Sequence, residues 1–125
     1  MRLLLDTQVM YLWTVDDAAL PSRVITALSD SRNHVCLSAA SFWEIGIKQA
    51  KGKLEWPEEG FEALLDSSFE KLPMTPLHAI AAGRLPPHHA DLFDRVLIAQ
   101  ATTEDMMLVG GDPIFARYGL SVLWQ

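Results

Sequence analysis

Apolar residues along this chain fall into two kinds of pattern. Short unbroken runs predict buried strands: Leu3-Leu4-Leu5, the stretch His34 to Leu37, and Met106 to Val109. Apolar residues at helical spacing predict helices. Val9, Leu12 and Trp13 follow the first run, and Val24, Ile25 and Leu28 follow Pro21, a residue suited to a helix's first turn. Ser38 is placed to cap a helix that runs to about Ala50, where Lys51-Gly52 stops it. Pro57 opens another helix through Leu65, and Pro76 one through about Ala82. Between them Lys71 to Met74 predicts an edge strand, because Pro73 could not sit in a central one. Gly83 to Ala90 reads as a loop and Leu92 to about Thr103 as a strong helix. Pro113 to Tyr118 predicts a short helix and Leu120 to Leu123 a last strand.

Strands alternating with helices imply an α/β fold with a central parallel sheet covered on both faces. Such sheets bind ligands at the carboxyl ends of their strands. Asp6 and Asp112 are expected at those ends. Glu44 and Asp94 fall in the first or second turn of helices that could open at the same edge. One rim could therefore collect all four acids.

That prospect changes the picture, because each acid adjoins or lies within an apolar run. A carboxylate beside a core element is costly unless a proton, a cation or hydrogen bonds compensate it. Several on one sheet edge repel each other unless a cation sits between them. Mg²⁺ and Mn²⁺ prefer oxygen ligands, so the pattern suggests a metal site acting on phosphate esters. Each acid also fits a plainer role. Asp6 and Asp112 could be helix N-caps, Asp91 and Asp94 are spaced as a cap and its third-position acid, and Glu44 could pair with Lys48.

Other residues offer less. His88 and His89 lie in a Pro-rich loop and read as a solvated pair, with substrate contact the alternative. Lys48, Lys51 and Lys53 read as a solvated helix end that could also hold phosphates. Arg95, beside Asp94, is suited to contact a phosphate or lock a carboxylate. Trp13, Trp43, Trp56 and Trp124 are scattered and read as core or interface.

The chain has 125 residues, enough for a single domain spanning 1–125, with 50% hydrophobic residues and a formal net charge of -6. That charge argues against binding nucleic acid by bulk attraction, though not against an enzyme whose metal supplies local positive charge. The one cysteine, Cys36, sits in an apolar run and reads as a small buried hydrophobe. Asp6 comes too soon for a signal peptide, and no apolar run approaches a membrane span, so a cytoplasmic protein with no membrane partner is expected.

Leu3 to Thr7, Ser38 to Ile45, His89 to Ala101 and Gly111 to Phe115 together resemble the PIN-domain ribonucleases, in particular the toxin branch of the VapBC toxin–antitoxin modules. The resemblance covers essentially the whole chain, and the block around Phe93-Asp94-Arg95 is its most specific part. It implies a three-layer α/β/α fold with an acidic cleft, endonucleolytic cleavage of RNA, a Mg²⁺ or Mn²⁺ cofactor, a homodimer, and inhibition by a small cognate antitoxin that inserts a basic side chain into the cleft. Asp6, Glu44, Asp94 and Asp112 would form the catalytic acidic site. Asp6 and Asp94 would ligate metal directly, Glu44 and Asp112 would be further ligands, some through water, and Thr7 would support the site through its hydroxyl.

The chain departs from the family's pattern in three places. Gly110 stands where Thr or Ser is usual, Gln8 where His is frequent, and Leu92 where Pro is frequent. Two other readings compete. An inactive PIN domain could serve in RNA or protein binding. A phosphoacceptor receiver domain would need an acid pair after the first strand, an Asp after the third and a Lys after the fifth, and the chain has none of these. Leu12, Trp13, Phe61 and Leu65 look surplus to one small core, which also suggests self-association.

Overall fold

A computed structural model describes every residue from Met1 to Gln125. Five parallel strands form one sheet: β1 (Arg2–Leu5), β2 (His34–Ser38), β3 (Glu70–Leu72), β4 (Met107–Val109) and β5 (Val122–Leu123). Six helices connect them: α1 (Thr7–Val15), α2 (Ser22–Ser29), α3 (Ala39–Ala50), α4 (Gly60–Asp66), α5 (Pro76–Gly83) and α6 (Leu92–Thr103). The strand order is β3-β2-β1-β4-β5. The chain thus winds outward from β1 in one direction, then returns to β1's other side with β4. The crevice at such a switch point, beyond the strands' carboxyl ends, is where open α/β sheets bind ligands. The order also differs from that of a receiver domain, which is built 2-1-3-4-5.

Alternate residues of β1 serve opposite faces. Leu3 and Leu5 join Val35, Leu37 and Val109 in a core beneath α1 to α4, while Leu4 joins Cys36, Leu72 and Leu108 beneath α6. Three central strands buried on both faces read as continuous apolar runs, which is why they were visible in the sequence.

Several boundaries differ from the expected ones. The helix expected from Pro57 begins only at Gly60, because Pro57 to Glu59 make a turn on which the Trp56 ring folds back. A Cβ on Gly60 would come within 2.5 Å of that ring. The edge strand is Glu70–Leu72, so Pro73 lies just outside the ladder. Leu120 and Ser121 precede the last strand rather than belong to it, and Pro113–Tyr118 winds as a 3-10 helix. Leu12, Trp13 and Phe61 are not surplus, since all three pack on the larger core. Among the four residues named for self-association, only Leu65 is exposed. No helix is long and apolar enough to cross a membrane.

Candidate active site

The site is assembled at the carboxyl ends of β1 and β4, where the backbone leaves the sheet. Asp6 is the first residue past β1. Its backbone N–H still bonds to Val109 O at 2.9 Å, which ties it to the end of β4. Its side chain caps α1, with Oδ1 accepting from the Val9 N–H at 2.8 Å. Oδ2 faces Gly110, the first residue past β4, and a Cβ there would lie 2.4 Å from it. Glycine at 110 therefore leaves room for the Asp6 carboxylate, which is only 6% exposed.

Glu44 reaches the same place from the second turn of α3. It is 4% exposed, yet its oxygens are matched. Thr7 Oγ1 donates to Oε1 at 2.6 Å, and Lys48 Nζ lies 2.8 Å from Oε2. Thr7 Oγ1 also lies 3.0 Å from Ser41 Oγ. The ordinary helix pairing of Glu44 with Lys48 and a place in the cleft are thus both realised.

Asp94 enters from the first turn of α6. Asp91 caps that helix by accepting from the Asp94 N–H at 2.9 Å, so the Asp94 side chain is not used as a cap. Trp43 and Phe93, each one residue before its acid, meet edge to face with centroids 5.2 Å apart. That contact holds the acid-bearing turns of α3 and α6 side by side. Asp112 caps the 3-10 turn through Oδ1, which accepts from the Ile114 N–H at 3.0 Å. It stands at the exposed rim.

Asp6, Glu44 and Asp94 share a cleft of about 480 Å³, lined also by Thr7, Gln8, Tyr11, Lys48, Lys53 and Leu54. Asp112 adjoins it through Asp94: ligand atoms of His89, Asp94 and Asp112 lie within 4.8 Å of one another. A larger groove of about 740 Å³ runs along α2, but its only carboxylate, Asp30, is already paired with Arg32.

Electrostatics mark the cleft as short of positive charge. Burial, reinforced by the charges of Asp94, Glu44 and Asp112, pushes the Asp6 carboxyl from 3.8 up to about 7, against the opposing pull of its Val9 hydrogen bond. Burial also raises Asp94, with Asp91 and Glu44 adding to it, while the His89 hydrogen bond pulls the other way. Carboxylates held together at this cost suit a hard divalent cation, and the donors facing the cleft are predominantly oxygen.

Two residues differ from what their sequence context suggests. His89 is not simply solvated, because its Nε2 lies 2.7 Å from Asp94 Oδ2. The signal was its place five residues before Asp94, at the threshold of the α6 cap. Arg95 forms no ion pair with a carboxylate and does not line the acidic cleft. Its guanidinium donates to the carbonyls of Ala82 (2.8 Å), Leu85 (3.1 Å), Pro86 (3.2 Å) and His89 (3.4 Å). The loop needed donors for its unpaired carbonyls, and Arg95, pointing away from the cleft at the next helical position, supplies them.

The family model for the PIN domain matches residues 3–120. The chain belongs to the PIN domain family. Solved structures agree with this PIN fold over nearly the full length. VapBC2 from Rickettsia felis, bound to a DNA fragment from its promoter, matches with a TM-score of 0.74 at 17% identity, covering 100% of both chains. VapBC-1 from nontypeable Haemophilus influenzae gives 0.70 at 18%, covering 98% of this chain and 97% of that one. FitAcB from Neisseria gonorrhoeae gives 0.69 at 20%, covering 97% and 96%. At such identities the likeness is one of fold. A comparison with curated protein sequences finds no match.

Proposed function

We propose that this PIN domain is a metal-dependent endoribonuclease and the toxin of a toxin–antitoxin pair. The observation that carries the reading is the approach of Asp6, Glu44, Asp94 and Asp112 to one cleft at the β1/β4 switch point. Asp6 and Asp94 would hold a Mg²⁺ or Mn²⁺ ion directly, with Glu44 and Asp112 as further ligands, some through water. When bound, the cation supplies Lewis acidity toward a phosphoryl oxygen and makes water a better nucleophile at neutral pH.

The protein's own groups do the rest. Thr7 fixes one Glu44 oxygen, so that carboxylate holds its orientation without substrate. His89 places a hydrogen-bond partner on Asp94 and favours its ionised form. Asp112 keeps one oxygen on the Ile114 N–H and presents the other at the rim, where it can accept a proton from the attacking water. Lys48 is engaged by Glu44, so Lys53, at the same wall, is the lysine left to contact the RNA backbone.

The toxin assignment rests on the PIN family membership and on the fold shared with VapBC and FitAcB. A small cognate antitoxin that sets a basic side chain into the cleft is the expected inhibitor. Exposed Leu77 and Ile80 on α5, with exposed Met74 just before it, give a homodimer a surface to use. The test is cleavage of RNA by the purified protein with Mg²⁺ or Mn²⁺. Cleavage should be lost in chelator and in Asp94→Asn. Metal-independent cleavage refutes the metal's role, and no cleavage under any metal refutes the enzyme reading and leaves a binding role for the domain.

A further inference from the structure

The sheet carries a second group of metal-ligating side chains at its other end. His34 and Cys36 alternate on β2, so they face the same side of the sheet. Glu70 opens β3 and is register-paired with Cys36. The three side chains therefore converge by strand geometry alone. His34 Nε2 lies 2.6 Å from Glu70 Oε2, and Cys36 Sγ–H donates to the same oxygen at 3.1 Å. All three ligand atoms lie within 4.8 Å of one another. His34 and Glu70 open their strands, and Cys36 is the middle residue of β2. The acidic cleft lies beyond the strands' carboxyl ends, on the order of 10 Å away along β2.

We propose that His34, Cys36 and Glu70 form a site for a borderline-soft divalent cation of the Zn²⁺ class, with a fourth position open to solvent. The donor set of one sulfur, one imidazole nitrogen and one carboxylate oxygen matches such an ion and not Mg²⁺ or Ca²⁺. Tetrahedral Zn²⁺ bonds separate neighbouring donors by about 3.3–3.8 Å. The present contacts are shorter because they are hydrogen bonds, and a spread of under about 1 Å would admit the ion. His34 and Glu70 can supply it, since both side chains are about half exposed (53% and 50%). Cys36 is the buried, fixed corner.

Binding replaces the Sγ–H···Oε2 hydrogen bond with a sulfur–metal bond, and the thiol proton passes to solvent. His34 binds as neutral imidazole through Nε2 with its proton on Nδ1. Without metal the thiol is held protonated, pushed up to about 12 by burial and then by Glu70. Arg2, register-paired with His34, is the nearest cation, and its guanidinium is drawn off to the Glu104 carbonyl. An ion here would clasp the three-residue edge strand β3 to β2.

Cobalt tests this. The full-length protein, stripped of metal and titrated with Co²⁺ alone, should develop a thiolate-to-cobalt charge-transfer band that saturates at one ion per chain. Zn²⁺ should erase the band and raise the melting temperature. His34→Ala and Glu70→Gln, both at half-exposed positions, should keep the far-ultraviolet circular dichroism of the parent and lose the band. Asp94→Asn should retain it, since the acidic cleft offers no sulfur. Absence of the band in the parent overturns the proposal. So does a band that survives both His34→Ala and Glu70→Gln, because the sulfur would then bind cobalt without the other two donors.

Discussion

The Asp6 carboxylate occupies the space that a side chain on Gly110 would need, with Oδ2 only 2.4 Å and Cγ 2.8 Å from where that Cβ would stand. With no side chain at position 110, the Asp6 carboxylate itself fills that space. Gly110→Ala should push Asp6 off its place, weaken its cap on α1 and cost about 1–2 kcal/mol of stability. Cleavage should fall more than stability does. Denaturant unfolding alongside RNA cleavage rates checks both. An alanine variant with parental activity would show that Asp6 can relocate freely.

Three of the acids near the cleft were placed by the sequence because each is tied to an element boundary, while Glu44 lies one turn inside α3. Asp6 ends a three-leucine strand, Asp94 stands three residues after its cap Asp91, and Asp112 precedes a proline. Periodicity fixes such positions to within a residue or two, and the β1/β4 switch point then brings them together. The role of Arg95 was not legible. Its partners are four backbone carbonyls between Ala82 and His89, and carbonyls carry no residue signature. The His34–Cys36–Glu70 group was hidden for another reason. Its third member comes from a neighbouring strand 34 residues on, whose bounds were displaced by Pro73.

Arg95→Ala should therefore destabilise the protein by about 2–3 kcal/mol, because it leaves several carbonyls without donors. It should also expose the Leu85 to Ala90 segment to limited proteolysis. An arginine used for phosphate contact would behave differently, with KM raised and stability unchanged. Comparing unfolding midpoints with KM for RNA separates the two.

The raised Asp6 carboxyl gives stability a defined pH dependence in chelator. Its folded value of about 7 exceeds the ordinary 3.8, so the folded state holds the proton more tightly than the unfolded chain does. That contribution is fully present below about pH 4 and is lost as pH rises through about 7. Asp94 is shifted in the same direction. Asp6→Asn can keep the Val9 cap through its amide oxygen and cannot ionise. In chelator it should match the parent near pH 4 and exceed it near pH 8. A variant less stable than the parent at pH 8 would mean that the charged carboxylate is itself stabilising.

Asp94→Asn should remove activity by about 100-fold or more while leaving the fold intact, since Asp91 and not Asp94 caps α6. Circular dichroism and cleavage of one RNA under saturating Mg²⁺ measure the two effects. Loss of the fold would reassign Asp94 to a structural role.

The same electrostatics give a prediction for an inhibitor that binds the cleft. The cleft gathers three carboxylates, with that of Asp112 adjoining at the rim, against one lysine already spent on Glu44 and a second, Lys53, at the wall. A partner that inserts Arg or Lys gains charge-assisted hydrogen bonds there and occupies the place of the cation. Cation and basic side chain then compete for the same oxygens, so raising Mg²⁺ should weaken inhibition. Replacing that basic residue of the partner with Ala should weaken it by at least about tenfold. The experiment titrates RNA cleavage with the product of the adjacent reading frame at several Mg²⁺ concentrations. Inhibition indifferent to Mg²⁺, from a partner that leaves the space between Asp6 and Asp94 open, would place the blockade on the RNA path and not in the acidic site.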